Sequence, residues 1–83
     1  MKIKNHNAEL FIEANRKQFV GKDLTSFETS YKIKDLVFQE GEVLALLALA
    51  DNPETALILY MDIDRAAELL GMTIDWKKFG FKI

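Results

Sequence analysis

The sequence is poor in the residues that most often mark a catalytic or metal-binding site. It contains no cysteine, one histidine and one proline among 83 residues. The absence of cysteine excludes a disulfide framework and a thiolate metal site, and it fits a reducing, cytoplasmic environment. The single histidine, His6, could share a helix face with Glu9, three positions on, but one histidine and one carboxylate make neither a metal site nor a catalytic pair without more partners. The sequence therefore predicts a protein that is not an enzyme, with no catalytic residues, no metal and no cofactor.

Long apolar stretches are also missing. The longest, VLALLALA at 43–50, has eight residues, whereas a helix needs about 20 to cross a bilayer. The first residues, MKIKNHNAELF, lack the apolar core of a signal peptide. We therefore expect one soluble domain, residues 1–83, without a membrane segment. Apolar residues nevertheless make up 49% of the chain, and this excess indicates a partner surface, such as a homodimer interface.

Negative charge is concentrated in the middle of the chain. Residues 1–22 carry five basic and two acidic side chains, residues 23–70 carry three and ten, and residues 71–83 carry three and one. Proteins that bind nucleic acid usually present a basic face, because neutralising phosphates supplies most of their affinity. The acidic middle therefore argues against a large DNA footprint and favours a surface that meets a basic protein.

Two elements in the first half have clear patterns. Asn7 can cap a helix from about residue 8 to residue 20, which Gly21 would end. Between Thr25 and Ile33, apolar and β-prone residues alternate with polar ones, which is typical of a half-buried strand. A lone strand needs a mate, and the candidates are residues 36–39, the MKIK start and the FGFKI end.

Residues 42–61 allow two interpretations. Their leucines and alanines favour helices at 42–51 and 53–61, with Pro53 at the first helical position. The four residues Asp51-Asn52-Pro53-Glu54 could instead form the turn of a hairpin. The predicted fold is accordingly a small, helix-dominated α+β domain with one strand near 24–33 paired to a short mate. The alternative is an antiparallel sheet, with 43–50 and 55–61 as a hairpin, plus two helices.

The stretch DRAAELLGMTIDW at 64–76 has the features of a helix-turn-helix. A first helix can run to Leu70, Gly71 can adopt the left-handed conformation of a turn, and Thr73 can cap a second helix. On that second helix Lys77 and Lys78 could reach phosphates. The alternative is a helix with a glycine cap, followed by a short turn whose aromatic side chains fill the core: Trp76, Phe79 and Phe81.

The run ETALILYMDIDRAAELLGMT at 54–73 resembles the tri-helical segment of many small prokaryotic regulators. It is most similar to an uncharacterised family of small antitoxin-like proteins, whose C-termini carry an AAELxGM[ST] run and a Tyr-Gly or Phe-Gly dipeptide. The matching residues are Ala66, Ala67, Glu68, Leu69, Gly71, Met72, Thr73 and Phe79-Gly80. The resemblance implies a small regulator of antitoxin type that binds DNA through this segment and a protein partner through other surfaces. The expected DNA-binding residues are Thr73, Asp75, Lys77, Lys78 and Lys82.

The alternative function is an acidic protein-binding module, for example a phage-type inhibitor, that docks on a basic protein surface. It predicts that six acidic side chains gather on one face: Glu40, Glu42, Asp51, Glu54, Asp62 and Asp64. Attraction between exposed charges of this kind weakens as salt is added.

Overall fold

Four antiparallel strands and two α-helices make up the chain in a computed structural model that describes residues 1–54 and 59–83. The elements in chain order are α1 (Asn5–Phe19), β1 (Asp23–Ser26), β2 (Thr29–Gln39), β3 (Glu42–Leu49), β4 (Leu59–Asp62), α2 (Ile63–Leu69) and a one-turn 3₁₀ helix (Lys77–Phe79). The strands lie in one sheet in the order β1-β2-β3-β4, so each strand pairs with its neighbour in the sequence.

The prediction of a helix-dominated fold is wrong, because residues 42–49 form a strand of the sheet. β3 pairs with β2 on one side and with β4 on the other. Its alternate residues Val43, Ala45 and Leu47 are buried against the core. Burial in the sheet outweighs the helix propensity of leucine and alanine, which is a weak preference. The alternative prediction comes closer, since β3 and β4 are antiparallel neighbours; residues 55–58 of its second strand lie outside the described residues.

The single strand predicted near 24–33 is in fact a hairpin. β1 pairs with β2 from Asp23 opposite Lys32 to Ser26 opposite Thr29, and Phe27 and Glu28 form the turn between them. The sequence pattern placed Phe27 on the buried face of one strand, but its side chain is 94% exposed. The turn was hidden because the two residues that make it are neither glycine, asparagine nor proline, which usually mark such turns.

One face of the sheet carries the core. Across β2 and β3 the inward pairs are Ile33 with Leu47, Leu36 with Ala45 and Phe38 with Val43. From α1, the side chains of Phe11 and Phe19 are fully buried against this face. Amphipathic elements of this length gain most of their stability from such packing rather than from local propensity.

The first helix begins three residues earlier than predicted. Its N-cap is Lys4, without a side-chain capping bond, and Asn7 lies inside the helix. Gly21 follows the helix with a φ of +87°, a conformation that favours glycine. The predicted stop is therefore confirmed, while the predicted cap is wrong. Within 1–54 and 59–83, no helix is both long and apolar enough to span a membrane.

The C-terminal segment closes the core beneath α1. The ring of Phe11 lies 5.9 Å from that of Trp76 and 5.1 Å from those of Phe79 and Phe81, measured between centroids. The interpretation that these three aromatic residues fill the core is confirmed. Beyond them, the amide of Lys82 donates to the carbonyl of Lys2 at 2.8 Å, so the two ends of the chain are paired.

Candidate protein-interaction site

The segment that resembles a helix-turn-helix has the predicted first helix but a different continuation. α2 ends at Leu69, and Gly71 has the expected left-handed φ of +71°. No second α-helix follows in residues 72–83; three residues of 3₁₀ helix end at Gly80, whose φ is +88°. Such a turn rises about 2 Å per residue and is too short to lie along a DNA groove. The second helix is missing because Trp76 and Phe81 turn inward to cover Phe11.

The residues expected to bind DNA are exposed, and one of them, Lys82, pairs with the start of the chain. Thr73, Asp75, Lys77, Lys78 and Lys82 are all exposed, and the carboxylate of Asp75 accepts a bond from the amide of Lys78 at 3.2 Å. Since Lys82 pairs with Lys2, the basic beginning and the basic end of the chain come together. We call this surface the basic terminal face, and it comprises Lys2, Lys4, Lys77, Lys78 and Lys82.

The six acidic residues expected to share one face are divided between the two ends of the sheet. Glu42 begins β3 and Asp62 lies opposite Leu44 in the register, so both are near the β2–β3 turn. Asp51 and Glu54 follow the other end of β3, which at eight residues is about 25 Å away. The structure therefore does not bring the six together.

Glu42 also has a local role. Its carboxylate accepts a hydrogen bond of 3.1 Å from the N-terminal ammonium, and the side chain of Lys2 approaches within 3.8 Å. The hydrogen bond and charge of the ammonium, with a smaller effect from Lys2, hold the pKa of Glu42 below its usual range. This carboxylate thus fixes the start of the chain to the sheet.

The turn at Phe27 and Glu28 has the most unusual backbone conformation in residues 1–54 and 59–83. Phe27 has a φ of +49° and Glu28 a φ of +68°. Two positive φ values in a two-residue hairpin loop define a type I′ turn, which strongly prefers Asn-Gly or Gly-Gly. The β2–β3 turn of the same sheet has similar angles, at Glu40 and Gly41, but there glycine occupies the second position. A bulky aromatic residue at positive φ is a genuine outlier.

Acidic side chains surround this turn. Glu28 and Asp51 line one shallow groove together with Thr29, Ser30, Leu49 and Ala50, because Ala50 bonds to Ser30 across the sheet. Glu54 is exposed three residues after Asp51. None of the three carboxylates makes an ion pair with another residue of 1–54 or 59–83. We call this surface the hairpin end: Phe27, Glu28, Asp51 and Glu54.

The hairpin end was not predicted because its turn contains none of the residues that usually mark a turn. The stretch TSFETS separates two runs of β-prone residues without glycine, asparagine or proline. An alternating pattern that continues through a turn predicts a single strand. Every second side chain of that strand, including Phe27, is then assigned to the same face of the sheet. One of the six predicted acids, Asp51, shares a groove with Glu28, and Glu54 follows it three residues later in the chain.

No protein family matches this chain, and neither a curated protein nor a solved structure matches it significantly. Within the described ranges no group of three or more candidate ligands could hold a metal ion. Function must therefore be inferred from the residues of this chain alone.

Proposed function

We propose that the protein is a small, non-catalytic protein-binding module that acts in the cytoplasm. Its hairpin end inserts Phe27 into an apolar pocket on a partner whose rim is rich in lysine or arginine. The observation that carries the proposal is an aromatic side chain, 94% exposed, on a turn in which both central residues have positive φ.

Folding alone gives no reason for phenylalanine at this position. A non-glycine residue in the left-handed region costs about 1–2 kcal/mol, and a side chain this exposed gains almost no burial. Strained positions of this kind cluster at binding sites. An aromatic anchor loses little conformational entropy on binding and is typical of interface hot spots.

The acidic side chains of the hairpin end add charge to this anchor. Glu28, Asp51 and Glu54 are exposed and can attract a basic partner. Charge complementarity of exposed groups raises the association rate more than the final affinity, and it is screened within about 10 Å at 0.1 M salt. The proposed interaction is therefore expected to form more slowly at high salt.

Affinity capture with matched variants tests this function. A partner that binds the immobilised protein should be lost with Phe27→Ser and weakened with Glu28→Lys. The control is Leu10→Ser, because Leu10 is also half exposed but lies on α1. The purified partner should then bind the Phe27→Ser variant about 30-fold more weakly or worse, as expected for a hot spot worth 2 kcal/mol or more. If Phe27→Ser bound the partner as tightly as the control Leu10→Ser does, the hairpin end would not be the binding site.

A second candidate is the small regulator of antitoxin type, which would contact DNA through the basic terminal face. The pairing of Lys2 with Lys82 favours it, because it adds two N-terminal lysines to those predicted from the sequence. Without a second α-helix, the contact would be to phosphates rather than to base edges. It should therefore be indifferent to DNA sequence and sensitive to salt.

Retention on random duplex DNA at low salt tests the second candidate. The double variant Lys77→Glu/Lys78→Glu should no longer be retained, whereas Phe27→Ser should be retained as the unmodified chain is. Flow-through of the unmodified chain, or equal retention of the lysine variant, would exclude DNA contact through this face.

A further inference from the structure

The end of α1 and the turn after α2 flank an open groove of about 470 Å³. Its floor is formed by Leu70 and Met72, which are half-buried against the core. The turn at Gly71 holds them there, because the amide of Met72 donates to the carbonyl of Ala67 at 2.9 Å. We call this surface the lysine groove: Lys17, Gln18, Lys22, Leu70 and Met72. It combines an apolar floor with a basic rim.

Both lysines of the rim are available to a partner. Lys17 and Lys22 are exposed, and neither makes an ion pair in the part of the chain that the structure describes. Asp23, the neighbour of Lys22, is already paired with Lys32 at 2.9 Å. None of the described residues that line the groove is acidic. The rim therefore presents two positive charges that no ion pair among these residues neutralises.

The lysine groove matches the hairpin end in size, polarity and charge. Phe27 is 94% exposed, and a phenyl ring fits the groove, since a cavity of about 150 Å³ holds benzene. Methionine sulfur makes favourable contacts with aromatic rings, and Met72 is on the floor. With the ring on the floor, the carboxylate of Glu28, the next residue, is within reach of the rim lysines. Each surface thus offers what the other lacks.

The groove and the hairpin end lie in different parts of the molecule. Phe27 follows Lys22 by five residues, which include the extended strand β1. At about 3.3 Å per residue, the two positions are roughly 16 Å apart. The pairing of β1 with β2 fixes this separation. Phe27 therefore does not reach the groove of its own chain, and the contact must join two copies.

We infer that a partner of the hairpin end is a second copy of this chain, whose lysine groove takes up Phe27. The inference rests on the proposed function, because it uses the same anchor, and it adds the identity of a partner. The contact joins two different surfaces, so each end of a pair still carries one free surface. Such head-to-tail contacts continue into longer assemblies unless the rotation closes a ring. The contact is small, so association is weak and depends on concentration.

Sedimentation equilibrium of the full chain from about 1 µM to about 1 mM tests the contact, because this range spans weak affinities. The average mass should rise above 9.5 kDa, and less so at high salt, which screens exposed charges. Phe27→Ser should weaken the contact about 30-fold or more, and Lys17→Glu/Lys22→Glu should abolish it by reversing the charge of the rim. Lys77→Glu/Lys78→Glu makes the same charge change on the basic terminal face and should assemble as the unmodified chain does.

A mixture of the two variants that do not assemble alone makes the outcome decisive. Phe27→Ser keeps an intact groove, and Lys17→Glu/Lys22→Glu keeps an intact hairpin end. Together they should form a complex of two copies and no larger, because only one intact contact is possible. Circular dichroism establishes that each variant is folded, as expected for changes at exposed side chains.

Three results would overturn the inference: a constant mass of 9.5 kDa for the unmodified chain, assembly that survives Phe27→Ser, or a mixture that stays monomeric. The affinity capture described above separates this failure from that of the proposed function. A captured partner of different sequence that requires Phe27, together with a monomeric unmodified chain, would support the proposed function and reject the second copy as partner.

Discussion

Replacing the turn residues Phe27 and Glu28 by Asn-Gly should stabilise the protein and also abolish the partner binding proposed above. Each non-glycine residue in the left-handed region costs about 1–2 kcal/mol. Glycine at position 28 reduces the net stabilisation by roughly 0.5–1 kcal/mol, because it has greater conformational freedom in the unfolded chain. Asparagine at position 27 tolerates the left-handed region far better than phenylalanine does. Because Phe27 is 94% exposed, its removal sacrifices almost no burial. We expect the free energy of unfolding to rise by about 1–2 kcal/mol.

Urea and thermal unfolding followed by the fluorescence of Trp76 provide the assay, since this single tryptophan stacks on Phe11 in the core. The midpoint temperature should increase by roughly 4–16 °C for a domain of this size. Glu40→Asn is the matched control, because the β2–β3 turn already has glycine at its second position; its effect should be below about 1 kcal/mol. If the Asn-Gly variant were no more stable than the unmodified chain, the reasoning would be refuted. The turn would then hold no backbone strain, and the presence of Phe27 there would need no functional explanation.

The remaining predictions concern the core and the N-terminal ion pair. Gly80→Ala should destabilise by about 1–3 kcal/mol, because its φ is +88° and a Cβ there would also displace the side-chain amide of Asn7; Gly71→Ala, with a φ of +71° and open space around it, should cost less in the same denaturation assay. Phe11→Ala should cost about 3–5 kcal/mol and shift the tryptophan emission to the red. Glu42→Gln should lower stability near pH 7. Because the pKa of Glu42 is below its ordinary 4.5 in the folded state, the difference from the unmodified chain should disappear as the pH falls through that lowered pKa, as denaturation at several pH values would reveal.

Local signals in the sequence predicted the elements whose ends are marked by glycine. α2 and the left-handed Gly71 match the expectation from capping and turn chemistry, and α1 ends just before Gly21 as predicted. The aromatic residues near the C-terminus were also assigned to the core correctly. In each case the decisive property belongs to the residue itself: freedom at positive φ, or a large apolar side chain in a small domain.

The missed features depend on contacts between distant residues. VLALLALA is a strand because β2 and β4 flank it, and no short window contains that information. The hairpin end was missed for the opposite reason: the local rule for type I′ turns is violated by Phe27 and Glu28. Places where a sequence breaks a local rule are where functional sites are expected. The interpretation of residues 53–61 as a helix is wrong at 59–61, which belong to β4 (Leu59–Asp62), while 55–58 lie outside the described residues.

The strand order β1-β2-β3-β4 has a consequence for the route by which the chain folds. Each hairpin forms from neighbours in the sequence, so most of the sheet needs only short loops to close, and short loops close fast. The pairing of Lys2 with Lys82 is different, because it spans nearly the whole chain. Its loop-closure entropy is the largest in the molecule, while two solvent-exposed lysines contribute little in return. We therefore expect the backbone pairing of the joined ends to form late in folding, and amide exchange at Lys82 should be among the fastest of the hydrogen-bonded amides in the described residues.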